Sequence, residues 1–74
     1  MQQTKDLLKK LGLTSTEIAI YLIGLEYPLL SVTDITKRTR VKRTTVYHAL
    51  ETLMAKGLVS KKVVSGRQVF AMVD

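Results

Sequence analysis

At Gly57 the spacing of the apolar residues changes, and that change constrains the fold more than any other feature of the sequence. After it come LVSKKVV, residues 58–64, and RQVFAMV, residues 67–73, two runs rich in β-branched side chains. Only Ser65 and Gly66 separate them, the two-residue spacing of a tight antiparallel hairpin. A two-stranded hairpin is not stable by itself in water. This one must therefore rest on what precedes it, and Phe70 and Met72, on one strand face, are the expected contacts.

What precedes it is punctuated as helices. Thr4 is placed to cap a first helix over residues 4–11, with Gly12 following as the left-handed residue that ends it. TSTE, Thr14 to Glu17, is a capping box, in which threonine and glutamate satisfy each other's free amides. It opens a helix over 15–26, which Pro28 prevents from continuing. Ser31 and Asp34 open a shorter helix over 32–39. A fourth spans 42–56 and is closed by Gly57. The expected architecture is mostly α with a C-terminal β-hairpin, its strands at 58–64 and 67–73, in a single domain over residues 1–74. Linkers, repeats and low-complexity stretches are missing from the sequence.

Composition narrows the chemistry. The chain has no cysteine, which rules out a disulfide framework and any thiolate metal site, and it points to a reducing, cytoplasmic setting. It has no Trp and four other aromatics, so the core must come from Leu, Val and Ile. The longest apolar run, IAIYLIGL from Ile18 to Leu25, is too short to span a bilayer, and the N-terminus lacks the apolar stretch of a signal peptide. His48 is the one histidine and has no carboxylate cluster beside it in sequence. There is no phosphate-binding glycine loop and no Ser/His/Asp set. Neither catalysis nor a cofactor is expected.

Charge is distributed unevenly. Residues 1–34 carry Lys5, Lys9 and Lys10 against Asp6, Glu17, Glu26 and Asp34, whereas residues 35–73 hold nine Lys or Arg against Glu51 alone. Five of the nine, Lys37, Arg38, Arg40, Lys42 and Arg43, crowd the approach to the fourth helix. A helix N-terminus already carries partial positive charge, so cations there oppose the helix dipole. Local stability does not explain them; an incoming phosphate does. A solvated basic face that aids solubility is the plainer alternative.

At about 100° per residue, Val46, Ala49, Leu50 and Leu53 form one stripe of the fourth helix, the face expected to be buried. Thr44, His48 and Ala55 lie opposite, with Tyr47 and Thr45 on the flanks. The third helix joins this one through only two or three residues of the stretch TRV. Two helices joined so tightly fit a helix-turn-helix, whose second helix enters the DNA major groove. The hairpin then becomes a wing, giving a winged helix-turn-helix. Arg43, Thr44, Tyr47 and His48 are the candidates for base contact. Lys37, Arg38, Arg40, Lys42 and Thr45 are the candidates for phosphate contact, with Lys61, Lys62, Arg67 and Gln68 on the wing. Arg43 has a structural alternative in an ion pair with Glu51 or Asp34. Tyr47 has one in lying over the core edge.

LGLTSTEIAIYLIGLE and TDITKRTRVKRTTVYHALETLMAKGLVSKK, together with their LGLT opening, RTTVYHALETL segment and KGLV ending, resemble the winged-helix domain of TrmB-like transcriptional regulators. The resemblance covers roughly Leu11 to Val73. It implies sequence-specific binding of double-stranded DNA in transcription control, usually as a homodimer. Relatives of this kind usually continue into a larger effector-binding or dimerising region; the resemblance implies no sugar site within these residues. Two positions depart from the pattern. Arg40 stands where a glycine is usual in the turn, and is expected to be driven toward positive φ at a cost of about 1 kcal/mol. Lys42 stands where a proline commonly starts the recognition helix.

The second helix carries apolar residues on two sides. Ile18, Tyr21, Leu22 and Leu25 make one stripe; Ile20, Ile23 and Tyr27 make another. Either the first helix covers the second stripe with Leu7, Leu8 and Leu11, or Ile20, Ile23, Tyr27, Leu8 and Leu11 contribute to a dimer interface. Gly24 would suit close approach of another helix under either reading. The competing function is a winged helix whose basic face meets RNA or an acidic protein partner.

Overall fold

The computed structural model describes residues 2–73, with side chains from residue 6 onward. Helices α1 (Gln2–Lys10), α2 (Ser15–Glu26), α3 (Val32–Thr39) and α4 (Arg43–Ala55) are followed by strands β1 (Val59–Val64) and β2 (Arg67–Met72). The starts of α2 and α3 and the end of α2 have local causes. Thr14 Oγ1 accepts from the Glu17 amide at 3.2 Å while Glu17 Oε1 accepts from the Thr14 amide at 2.8 Å. Ser31 and Asp34 repeat the arrangement at the start of α3. Tyr27, just before Pro28, is already extended at φ −123°, ψ 126°, as a residue preceding proline prefers.

Helices α1 and α4 and both strands differ from expectation by one or two residues at one or both ends, α1 closing at Lys10 and α4 at Ala55. Helix α1 begins at Gln2, so Thr4 lies within it and is not its cap. Lys42 is the N-cap of α4 and not its first helical residue. The strands are trimmed to Val59 and Met72, although the Val73 amide still donates to the Leu58 carbonyl at 2.8 Å.

The hairpin has the expected register, from Val59 opposite Met72 to Val64 opposite Arg67. Ser65 at φ 52° and Gly66 at φ 77° make the turn, both with the positive φ that the right-handed twist of a two-residue hairpin favours. A further contact of the hairpin leaves no trace in the sequence pattern. Leu30, in the loop after Pro28, exchanges two backbone hydrogen bonds with Phe70, at 3.0 and 2.7 Å. That bridge seats the root of the wing between α2 and α3.

The core lies where the helices meet the wing. Ile20, Ile35, Val46, Leu50 and Leu53 are its fully buried side chains, and each such burial is worth roughly 1.5–3 kcal/mol. Val46, Ala49, Leu50 and Leu53 form the buried stripe of α4 as expected. Phe70 is buried against the helices, and Met72 packs partly buried on the same core.

Helix α1 contributes less than expected. Leu8 is buried, but Leu7 and Leu11 are 61% and 59% exposed. Leu13, in the turn after α1, is buried in the core instead. Of the suggested dimer residues, Ile20 and Leu8 are sealed in this chain's own core and unavailable to a partner. Ile23 and Tyr27 are half-buried, and Leu11 is open. Gly24 receives β2, not a helix: a Cβ there would collide with the Met72 side chain.

Candidate nucleic-acid interface

The turn between α3 and α4 is closed by its own side chains and one strained residue. Thr39 donates its hydroxyl to the Ile35 carbonyl at 2.7 Å and accepts from the Val41 amide at 3.2 Å. Arg40 between them is left-handed at φ 60°, ψ 21°, as expected where glycine is missing, and its amide still donates to the Thr36 carbonyl at 2.8 Å. The chain reverses within three residues and delivers α4 with its buried stripe inward.

The N-terminus of α4 is unlike those of α2 and α3. Lys42 makes no side-chain capping hydrogen bond, and the first turn contains no acid. The free amides and the positive end of the dipole thus point outward among Lys37, Arg40, Lys42 and Arg43, all exposed.

On the outer surface of α4, Arg43, Thr44, Thr45, Tyr47 and His48 are all exposed. They divide into two flanks. Arg43 and Tyr47 border a cleft that also takes in Thr33, Asp34 and Lys37 of α3 and Arg67 and Gln68 of the wing. Thr45 and His48 border a separate hollow on the other side of α4, beside Thr14 and Glu17. Thr44 lies on the exposed arc between them. Tyr47, 42% exposed, does not lie flat over the core.

Arg43 makes neither of the ion pairs considered for it. Its Nη2 donates to Thr33 Oγ1 at 3.2 Å. Thr33 was not recognisable in the sequence, since a threonine early in one helix carries no periodic signal that links it to an arginine ten residues on. Asp34 is engaged locally: the Ser31 amide and hydroxyl, helped by the charges of Arg38 and Lys37, hold its carboxyl below the usual range.

Arg38 stands apart from the other cations. Its guanidinium lies 4.0 Å from the ring centroid of Tyr27, and it borders the groove along α2 with Ala19 and Leu22 instead of the wing cleft. On the wing, strand alternation separates the polar residues. Lys62 and Arg67 share one face, while Lys61 and Gln68 share the other with Phe70. Among the described residues there is no group of three or more potential metal-ligating side chains, and no helix is long and apolar enough to cross a membrane.

Four helices with a hairpin seated on them, and an exposed, basic second helix of a tight helix-turn-helix, define a winged helix-turn-helix protein. Within that class, a model of the family described as "Sugar-specific transcriptional regulator TrmB" matches residues 8–74. The chain belongs to this family, whose members are DNA-binding regulators of transcription.

Solved structures share the fold. YusO from Bacillus subtilis aligns with a TM-score of 0.83 at 20% identity, over 90% of this chain and 50% of that one. ST1889 from Sulfolobus tokodaii aligns with a TM-score of 0.84 at 18% identity, over 99% and 74%. TrmBL2, described as an archaeal chromatin protein with a novel mode of DNA binding, aligns with a TM-score of 0.80 at 18% identity, over 100% and 29%. The chain thus spans half the length of the YusO chain and less than a third of TrmBL2. A comparison with curated proteins finds no match.

Proposed function

We propose that this chain binds double-stranded DNA sequence-specifically, with α4 in the major groove and the wing on the backbone or the adjacent minor groove. The observation that carries the reading is the cleft in which Arg43 and Tyr47 of α4 meet Lys37 of α3 and Arg67 and Gln68 of the wing. A helix face, a cation on the preceding helix and a polar wing edge are there combined on one side of the molecule. Arg43, Thr44, Tyr47 and His48 face the bases, and Lys37, Arg40, Lys42, Thr45, Lys61, Lys62, Arg67 and Gln68 face phosphate or the minor groove. Arg38, stacked on Tyr27, serves the fold first.

The protein acts in the cytoplasm as a regulator and has no catalytic role. It reads its site as a homodimer, with half-sites about one helical turn, ~34 Å, apart. Leu11, exposed just after α1, supports a partner surface there.

Charge reversal tests this assignment. Arg43→Glu is expected to abolish binding to a selected duplex while leaving the fold intact by circular dichroism. Binding of that variant at parental affinity would refute the placement of α4. A preference for single-stranded RNA of equal length over duplex DNA would instead support the RNA-binding reading.

A further inference from the structure

Arg43 is the cation at the start of α4 that the fold holds by a hydrogen bond. Its Nη2 donates to Thr33 Oγ1, across the turn, on the first turn of α3. Thr33 belongs to the regular backbone of α3, where its carbonyl also accepts the Thr36 hydroxyl at 2.8 Å. Both Thr33 and Arg43 border the cleft shared with the wing. The bond is exposed, so its contribution to folding stability is small. Its consequence lies in orientation.

An arginine side chain has considerable rotamer freedom, and a bidentate contact to a base edge requires its planar fork in one attitude. One of five N–H groups is spent on Thr33, which leaves four. Two parallel donors are enough for the O6 and N7 acceptors of guanine.

We propose that Thr33 is a specificity-determining residue that positions Arg43 for guanine, although Thr33 itself need not touch a base. The inference rests on the reading of Arg43 as a base-contacting residue. It assigns part of the sequence preference to α3, the helix that otherwise crosses the backbone.

The test uses the whole chain and a pool of randomised duplex DNA, with the bound fraction sequenced for the parent and for Arg43→Ala, Thr33→Val and Thr33→Ser. Arg43→Ala defines the position whose guanine preference depends on that side chain. Thr33→Val keeps the branched shape and removes the acceptor, and is expected to weaken the guanine preference there roughly three- to tenfold. Its salt dependence should be unchanged. Thr33→Ser, which restores the hydroxyl, should keep the preference, and it keeps the question open to refutation if the valine variant folds poorly.

Full guanine preference in Thr33→Val, with loss in Arg43→Ala, would overturn the role of Thr33 and leave the reading of Arg43 standing. No change at any position in Arg43→Ala would remove the reading on which the inference rests, and the inference with it. A fall in salt slope with unchanged base preference in Thr33→Val would mark a phosphate contact and also overturn it.

Discussion

The Arg38 guanidinium lies 4.0 Å from the centre of the Tyr27 ring, joining the last turn of α3 to the residue that caps α2. One of the five cations at the approach to α4 is thereby tied to the fold. Arg38→Ala is expected to cost about 0.5–1 kcal/mol of stability, the usual range for an exposed cation–π pair. It should also change the salt dependence of DNA binding less than Lys42→Ala does. Chemical denaturation and salt titration of both variants check the contrast.

Arg40 links strain to charge. Its left-handed backbone costs a non-glycine residue about 1 kcal/mol. Arg40→Gly should therefore raise thermal stability, partly offset by the greater freedom of glycine in the unfolded chain. The same change should lower the slope of log affinity against log salt by about 0.9, the contribution of one phosphate contact. A variant that gains stability with no change in slope would show that Arg40 faces solvent and not DNA.

Gly24 and Met72 form a tight contact between α2 and β2. Gly24→Ala should destabilise the fold by about 1–3 kcal/mol through overpacking, despite alanine's better helix propensity. Truncation of the obstructing side chain in Gly24→Ala/Met72→Ala should recover part of that loss. Non-additivity in the double-mutant cycle is the measurement.

Much of this was legible in the sequence because it is local. The capping boxes at Thr14 and Ser31, the Ser65-Gly66 turn and the buried stripe of α4 each depend on residues within one or two turns of one another. What was not legible is contact across the chain. Leu30 pairs with Phe70 through a single bridge, too short to leave an alternating pattern. Gly24 signals close approach, but its sequence neighbours do not reveal that the visitor is a strand. Leu7 and Leu11 share helical spacing with Leu8, yet they stay exposed while Leu13, beyond the helix, is buried. At the candidate interface, residue types identified the cations correctly as exposed. Only the structure separates Arg38, stacked on Tyr27, from Arg43, held by Thr33.

The Asp34 carboxyl is depressed mainly by its hydrogen bonds to Ser31. A carboxyl whose folded pKa lies below its unfolded value adds stability above the unfolded pKa and loses it as pH falls through the folded one. The capping box of α3 should therefore weaken below about pH 4. Asp34→Asn should flatten this part of the stability–pH curve, and the effect should be small because the group is exposed. Denaturation midpoints between about pH 2 and 6 for both proteins provide the check.

Salt titration of duplex DNA binding tests the central claim most directly. Fluorescence anisotropy of a random duplex pool at ~50 and ~200 mM salt, with intermediate points, yields the number of phosphates engaged. With about five contacts from the turn and the wing, the slope of log affinity against log salt is expected near −4 to −5. Absence of binding at the lowest salt, or affinity that does not change with salt, would contradict a basic DNA-binding face.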